Sequence, residues 1–300
     1  MEIEPAVLRS PLPGGSDGAT ATVRMWITGE MGAPRGFLHR VDQPLAKARA
    51  LTRGAAKKIE TWVPCPVFLL EHSSAGKVLI DTGMPPAVVH DTKAALGRLG
   101  ASLYAVRAEE HQPLPARLRA AGIEPGEIRT VVFTHLHLDH AGALGEIDGS
   151  AQVVVSKVEW LSAHGSRQLA RGYMPRQYDT AHDFRLVDFD DPAVNSFASF
   201  GRSFDLFGDG SVVLVSTPGH TAGHMSVIVR TPGREVLLTG DAIYDRRSLD
   251  KSSAPLVLND EHNYRRSVRE IRQYEQMTPS ALILPGHDTG LLPPLDDQLI

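Results

Sequence analysis

Residues Thr130–Gly142 read TVVFTHLHLDHAG, a short β-branched run that leads straight into a histidine-rich loop. Four potential metal ligands, His135, His137, Asp139 and His140, fall within six residues. Neutral imidazole and carboxylate are the donors that borderline and harder divalent ions take. A loop at a strand end is where a rigid scaffold converges several ligands. His135 and His137 are two apart and in extended chain project to the same side. Asp139 and His140 follow once the chain has begun to turn, so they can point to a second position. The split suggests two ions. A merely exposed loop is the alternative, but crowded imidazoles repel when protonated and add little to a core.

Working outward, three later segments carry a strand into Gly or Pro and then into His or Asp: STPGHTAGH with His220, LLTGDAIY with Asp241 and ILPGHD with His287. Any one alone reads as an ordinary turn residue. Together with the first motif, each at a strand end, they point to a shared metal site.

In that order, THLHLDHAG, TPGHTAGH, TGDA and PGH resemble the metallo-β-lactamase superfamily, over roughly Trp62 to the C-terminus. The resemblance implies an α/β (α+β) fold, an αββα sandwich of two mixed β-sheets flanked by helices, with the site at one sheet edge. It further implies that His135, His137 and His220 bind one metal, that Asp139, His140 and His287 bind a second, and that Asp241 bridges both. Asp81 in LIDTG would orient a ligand histidine. His224 would support the site without ligating. The donors fit two zinc ions, with iron, cobalt and manganese also compatible.

A water shared between two such ions is the expected nucleophile, with Asp139 moving a proton to the leaving group. A closer resemblance is to the N-acyl-homoserine lactone lactonases, in which the bridging Asp is followed three residues later by Tyr; here Asp241-Ala-Ile-Tyr244. It implies a lactone substrate opened by hydrolysis, with Tyr244 donating to the carbonyl oxygen. The alternatives are another ester, a thioester or an organophosphate, and last a metal-binding protein without catalysis. Met31, Phe37, Trp160, Tyr173 and Met174 are candidates for an apolar pocket, with ordinary packing the competing reading for each.

The remaining chain bounds these readings. It has 300 residues, 42% hydrophobic and 22% charged, with a formal net charge of -4, so it can bury a sizeable core. No long Lys/Arg run is present, which disfavours a nucleic-acid partner. Neither a signal-like N-terminus nor a membrane-length apolar run is seen, so the expectation is a cytoplasmic protein without a membrane partner. The partner is a small-molecule lactone or ester, and oligomeric state, a homodimer included, stays open. The lone Cys65 cannot form an internal disulfide and reads as a small buried hydrophobe.

The domain reading is a flexible arm over 1–20 and a single domain over 21–300. That domain carries a basic insertion at about 30–60 and a lid-like excursion at about 165–184. Expected strands include ATVRMWITG, WVPCPVFLLEH, KVLIDTG, AQVVVS, SVVLVST, HMSVIVR and EVLLTGD. Expected helices run over Pro85–Gly100, Pro115–Ala121 and roughly Asn263–Met277.

Overall fold

Period-two burial decides the layers. Adjacent residues of one strand, such as Leu69 and Leu70, face opposite sides of their sheet, and here both sides are covered. Strands buried on both faces read as nearly continuous apolar runs, as VVLVS and EVLL do. The computed structural model describes residues 4–34, 36–40, 59–166, 168–192, 194–251 and 253–300. Residues 41–58, most of the expected insertion, lie outside the described residues.

The chain lays down β1 (Ala6–Val7), β2 (Ala21–Pro34), β3 (Ile59–His72) and β4 (Gly76–Ile80). Then come α1 (Thr92–Leu103), β5 (Val106–Arg107), α2 (Leu114–Ala120), β6 (Ile128–Val132), β7 (Gln152–Ser156), α3 (Lys157–Ala163) and β8 (Asp183–Val187). A second run holds β9 (Asn195–Phe197), β10 (Phe200–Asp205), β11 (Val212–Ser216), β12 (Met225–Arg230) and β13 (Glu235–Leu238). It ends with α4 (Arg246–Lys251), α5 (Glu261–Met277) and β14 (Leu282–Leu284). One sheet has the order β1-β8-β7-β6-β4-β3-β2-β5 and the other β14-β13-β12-β11-β10-β9. Both are mixed, as expected.

Between the sheets, Met25, Leu70, Ile80 and Val132 meet Leu214, Val227 and Leu238. On the outer face of the first sheet, Leu114 and Leu118 of α2 and Trp160 of α3 cover Leu79, Val131 and Val153. On the outer face of the second, Val268, Ile271 and Tyr274 of α5 cover Val213, Ile228 and Leu237. Each large apolar side chain so buried contributes about 1.5–3 kcal/mol. Helix α5 starts where Asp260 accepts a hydrogen bond from Asn263 N at 3.0 Å, two residues before the expected start.

Some expectations change. Pro85–Gly100 is not one helix. A 3-10 turn over Pro86–Val89 ends before Asp91, whose carboxylate caps α1 through Lys93 N and Ala94 N. The arm over 1–20 is not loose throughout, because Ala6 and Val7 pair with Arg185 and Leu186 at the sheet edge and Leu12 is buried. The excursion at about 165–184 runs into β8 at Asp183, and its Tyr173, Met174 and Tyr178 are buried. Among the described residues no helix is long and apolar enough to cross a membrane.

The topology gathers the motif loops. β4 and β6 run parallel, and so do β13 and β14. β11 and β13 each run antiparallel to β12 and so share a direction. The loops after β4, β6, β11, β13 and β14 carry Asp81, the His135–His140 cluster, His220, Asp241 and His287, and they emerge at one edge of the sandwich.

Candidate metal centre

The seven expected ligands converge. His220 Nε2 lies 2.9 Å from His137 Nδ1 and 3.2 Å from His135 Nε2. Asp241 Oδ2 faces this set, 3.2 Å from His220 Nε2 and 3.9 Å from His135 Nε2. Its other oxygen, Oδ1, lies 3.2 Å from His287 Nε2 and 3.4 Å from His140 Nε2. Asp139 Oδ2 completes the second set, 3.5 Å from His287 Nε2 and 3.7 Å from His140 Nε2. One carboxylate therefore stands between two clusters.

The second nitrogen of each ring shows why the first is free. His140 Nδ1 donates to Asp81 Oδ2 at 2.8 Å, and His287 Nδ1 donates to the Pro64 carbonyl at 2.8 Å. Both Nε2 atoms then carry lone pairs into the site. His140 Nε2, His287 Nε2 and Asp241 Oδ1 are buried without a hydrogen-bond partner. A buried polar atom left unpaired costs about 1–3 kcal/mol, so three of them aimed at one spot fit a cation as the missing partner. Asp81 also accepts from Thr134 N and Oγ1, each at 2.8 Å, and so braces the turn before His135.

Electrostatics agree. Burial alone would raise the Asp241 carboxyl, yet His287, His220 and His140 hold it well below the ordinary range. Burial, together with neighbouring imidazoles, pushes His135 and His220 well below the usual imidazole value. Neutral His135 and His220 beside an ionised carboxylate match the protonation state that metal binding requires. Burial is outweighed at His140 by Asp139 and Asp241, and at His287 by Asp241, so both are pushed up until a cation takes the proton's place.

A cavity of about 330 Å³ opens above these groups, lined by Met31, Phe37, Tyr104, Leu138, Tyr173, Tyr244 and Leu258, with His137, Asp139, His220 and Asp241 among its other walls. Tyr244 Oη is 3.1 Å from His220 Nδ1, and its ring stacks on Phe37 at 6.2 Å with a 7° tilt.

A family model described as the metallo-beta-lactamase superfamily matches residues 61–287. The chain belongs to the metallo-β-lactamase superfamily. An N-acyl homoserine lactonase AttM of Agrobacterium fabrum is 31% identical over 230 residues, 75% of this chain and 82% of the relative. A crystal structure of a quorum-quenching N-acyl homoserine lactone lactonase superposes with a TM-score of 0.72 at 21% identity, covering 95% of this chain and all of that one. An N-acyl homoserine lactone hydrolase with the product N-hexanoyl-L-homoserine bound at the catalytic metal center gives 0.70 at 21%, covering 90% and 94%. These structural likenesses show the superfamily fold.

Within this superfamily site, His224 stands outside the clusters. Its Nε2 accepts from Asp241 N at 3.0 Å and its Nδ1 bonds Thr217 Oγ1 at 3.0 Å. Burial pushes it down to about 3, so it stays neutral and supports the Asp241 turn. Of the pocket candidates, Met31, Phe37 and Tyr173 line the cavity. Trp160 packs against Phe184 in the outer core, and Met174 packs with Leu96 and Cys65. Neither reaches the cavity, because both point into layers between elements. Cys65 is fully buried as expected, but tertiary structure sets its Sγ 3.9 Å from Asp139 Oδ2.

Sequence reading missed Tyr104 and Glu159. Tyr104 follows α1 with no motif around it, and burial and Asp139 push its phenol up to about 12. Glu159 had a signal: it is a lone carboxylate amid apolar residues in KVEWL, on a helix that packs on a sheet.

Proposed function

We propose that this protein opens the lactone ring of N-acyl homoserine lactones by hydrolysis at a centre of two divalent ions. The observation that carries the reading is Asp241, whose two oxygens face separate histidine sets at the floor of a largely apolar cavity. His135, His137 and His220 would hold one ion, and Asp139, His140 and His287 the other, with Asp241 shared. All-nitrogen-and-oxygen donors suit zinc. When bound, the ions would supply an activated water near neutral pH and polarise the ester carbonyl.

The chain's own groups do the rest. His220 presents Nε2 to the metal position, so its Nδ1 carries the proton and donates to Tyr244 Oη. The Tyr244 O–H is thereby free to donate into the cavity, toward a carbonyl oxygen gaining negative charge. Burial, then Asp241, pushes that phenol well above its ordinary value, so it stays a donor. Asp139 lines the same cavity. It can pass the proton lost by the attacking water to the ring oxygen as the acyl carbon–oxygen bond breaks. Met31, Phe37, Leu138 and Leu258 give an acyl chain an apolar wall. Similarity to proteins named N-acyl homoserine lactonases supports the choice of substrate.

The test is acid release in a pH-stat by metal-assayed protein. Short- and long-chain N-acyl homoserine lactones would be run beside simple γ-lactones, a thioester and an aryl phosphotriester. Fast opening of the acyl homoserine lactones, about two metals per chain and loss in Asp139→Asn are expected. Inert acyl homoserine lactones with turnover of another ester would overturn the substrate and leave the hydrolase.

A further inference from the structure

Glu159 sits on α3 with no solvent exposure, in an outer-layer helix that none of the ligand motifs touches in sequence. A carboxylate there must be fully bonded to be tolerated. Its Oε1 accepts from Leu136 N at 3.0 Å. Its Oε2 accepts from Thr221 Oγ1 at 2.7 Å and from Gly223 N at 3.2 Å. Burial raises the Glu159 carboxyl, and Thr221, Leu136 and Tyr173 pull it back.

Those partners share one property. Leu136 lies between His135 and His137, and Thr221 follows His220. Tyr173 lies along His137, paired to it through the backbone, with the two rings 5.2 Å apart. Leu136, Thr221 and Tyr173 therefore each adjoin a ligand of the His135–His137–His220 set, and Gly223 lies three residues after His220 on the same loop. The approach is built in: a Cβ at Gly223 would fall 2.0 Å from Glu159 N, so only glycine lets this loop close on α3. The other set has different anchors, Asp81 for His140 and the Pro64 carbonyl for His287.

We propose that Glu159 is a positioning residue for the metal position formed by His135, His137 and His220, one anion pinning the two loops that carry them and the Tyr173 wall beside them. The proposal rests on the two-ion reading above. Outer partners of metal ligands typically matter by about 10–100-fold in metal affinity or activity. Because the bonds of Glu159 reach one set only, its loss should act on one ion only. Gln keeps the size but turns an NH2 toward backbone N–H or hydroxyl donors, so it should not substitute.

The experiment is a Co²⁺ titration of metal-free full-length protein, followed by its visible spectrum and by chelator competition. Wild type, Glu159→Gln and the milder Thr221→Val are compared, with His220→Ala and His287→Ala as reference spectra for loss of each position. The expected result is that Glu159→Gln loses at least about tenfold in affinity at the position missing in His220→Ala, and holds the other as wild type does. Thr221→Val should fall between. Unchanged affinity at both positions overturns the proposal. So does equal weakening at both with a lower melting temperature of the metal-free protein, which marks a merely structural role. A wild type that binds fewer than two ions sinks the two-ion reading and this proposal with it, whatever the variants do.

Discussion

Tyr244→Phe removes one oxygen from a ring that is 2% exposed and stacked on Phe37. Phe keeps the shape and the stacking, so substrate binding against that wall should be nearly preserved. Two things are lost. A donor aimed at developing oxyanion charge is worth about 2.7–4 kcal/mol, or roughly 10²–10³ in kcat. The proton on His220 Nδ1, 3.1 Å from the missing oxygen, is left buried without an acceptor. That costs about 1–3 kcal/mol, felt as weaker metal retention or lower stability. The assay is pH-stat kinetics on an acyl homoserine lactone, with metal measured in each preparation. With metal content restored, kcat should fall by about 10²–10³ and KM by no more than a few-fold in either direction. A kcat within about threefold of wild type would refute the donor role, and a raised KM at unchanged kcat would assign Tyr244 to uniform binding instead.

Two further outcomes concern the scaffold. Asp296 accepts from Arg117 Nη2 at 2.6 Å and from Ile27 N at 2.8 Å, the side chains being 26% and 10% exposed. Asp296→Ala leaves the guanidinium only the Ile27 carbonyl, at 3.1 Å, and should cost about 1–3 kcal/mol in urea unfolding; a loss under about 1 kcal/mol would mean the pair is solvated. His72 Nδ1 accepts from Ala75 N at 2.9 Å and Ser74 N at 3.2 Å, and burial lowers its pKa from 6.5. The folded state resists that proton more than the unfolded chain does. Its contribution should therefore be complete above pH 6.5 and decline as pH falls below it. Unfolding at about pH 7.5 and about pH 5.5 should show less pH dependence in His72→Gln than in wild type; an equal slope would clear His72 of the effect.

The last residues of the chain lie along β2. Asp297 N donates to Met25 O and Ile300 N to Val23 O, each at 2.8 Å. These bonds cover a β2 edge that would otherwise be open to pairing. The same strand carries Met31 to the cavity.

By itself the sequence pointed to a candidate ligand set and to the layered fold. His135, His137, Asp139, His140, His220, Asp241 and His287 could be named because metal ligation demands few residue types, and those types stood at strand ends marked by Gly or Pro. The paired sheets were legible because buried strands are short apolar runs between turn signals. Tertiary structure alone decided how Asp241 divides its two oxygens between histidine sets, since sequence spacing carries no direction for a side chain. It alone brought Cys65 to Asp139, 74 positions away, and Tyr244 to His220. It alone showed that Phe37 lines the cavity while Trp160 and Met174 do not, because an aromatic or a methionine fills a core and a pocket equally well. The break at Asp91 escaped notice because the apolar period runs on through it. Glu159 went unread because what distinguishes a positioning carboxylate from a solvated one is its burial and its donors, and both come from chain remote in sequence.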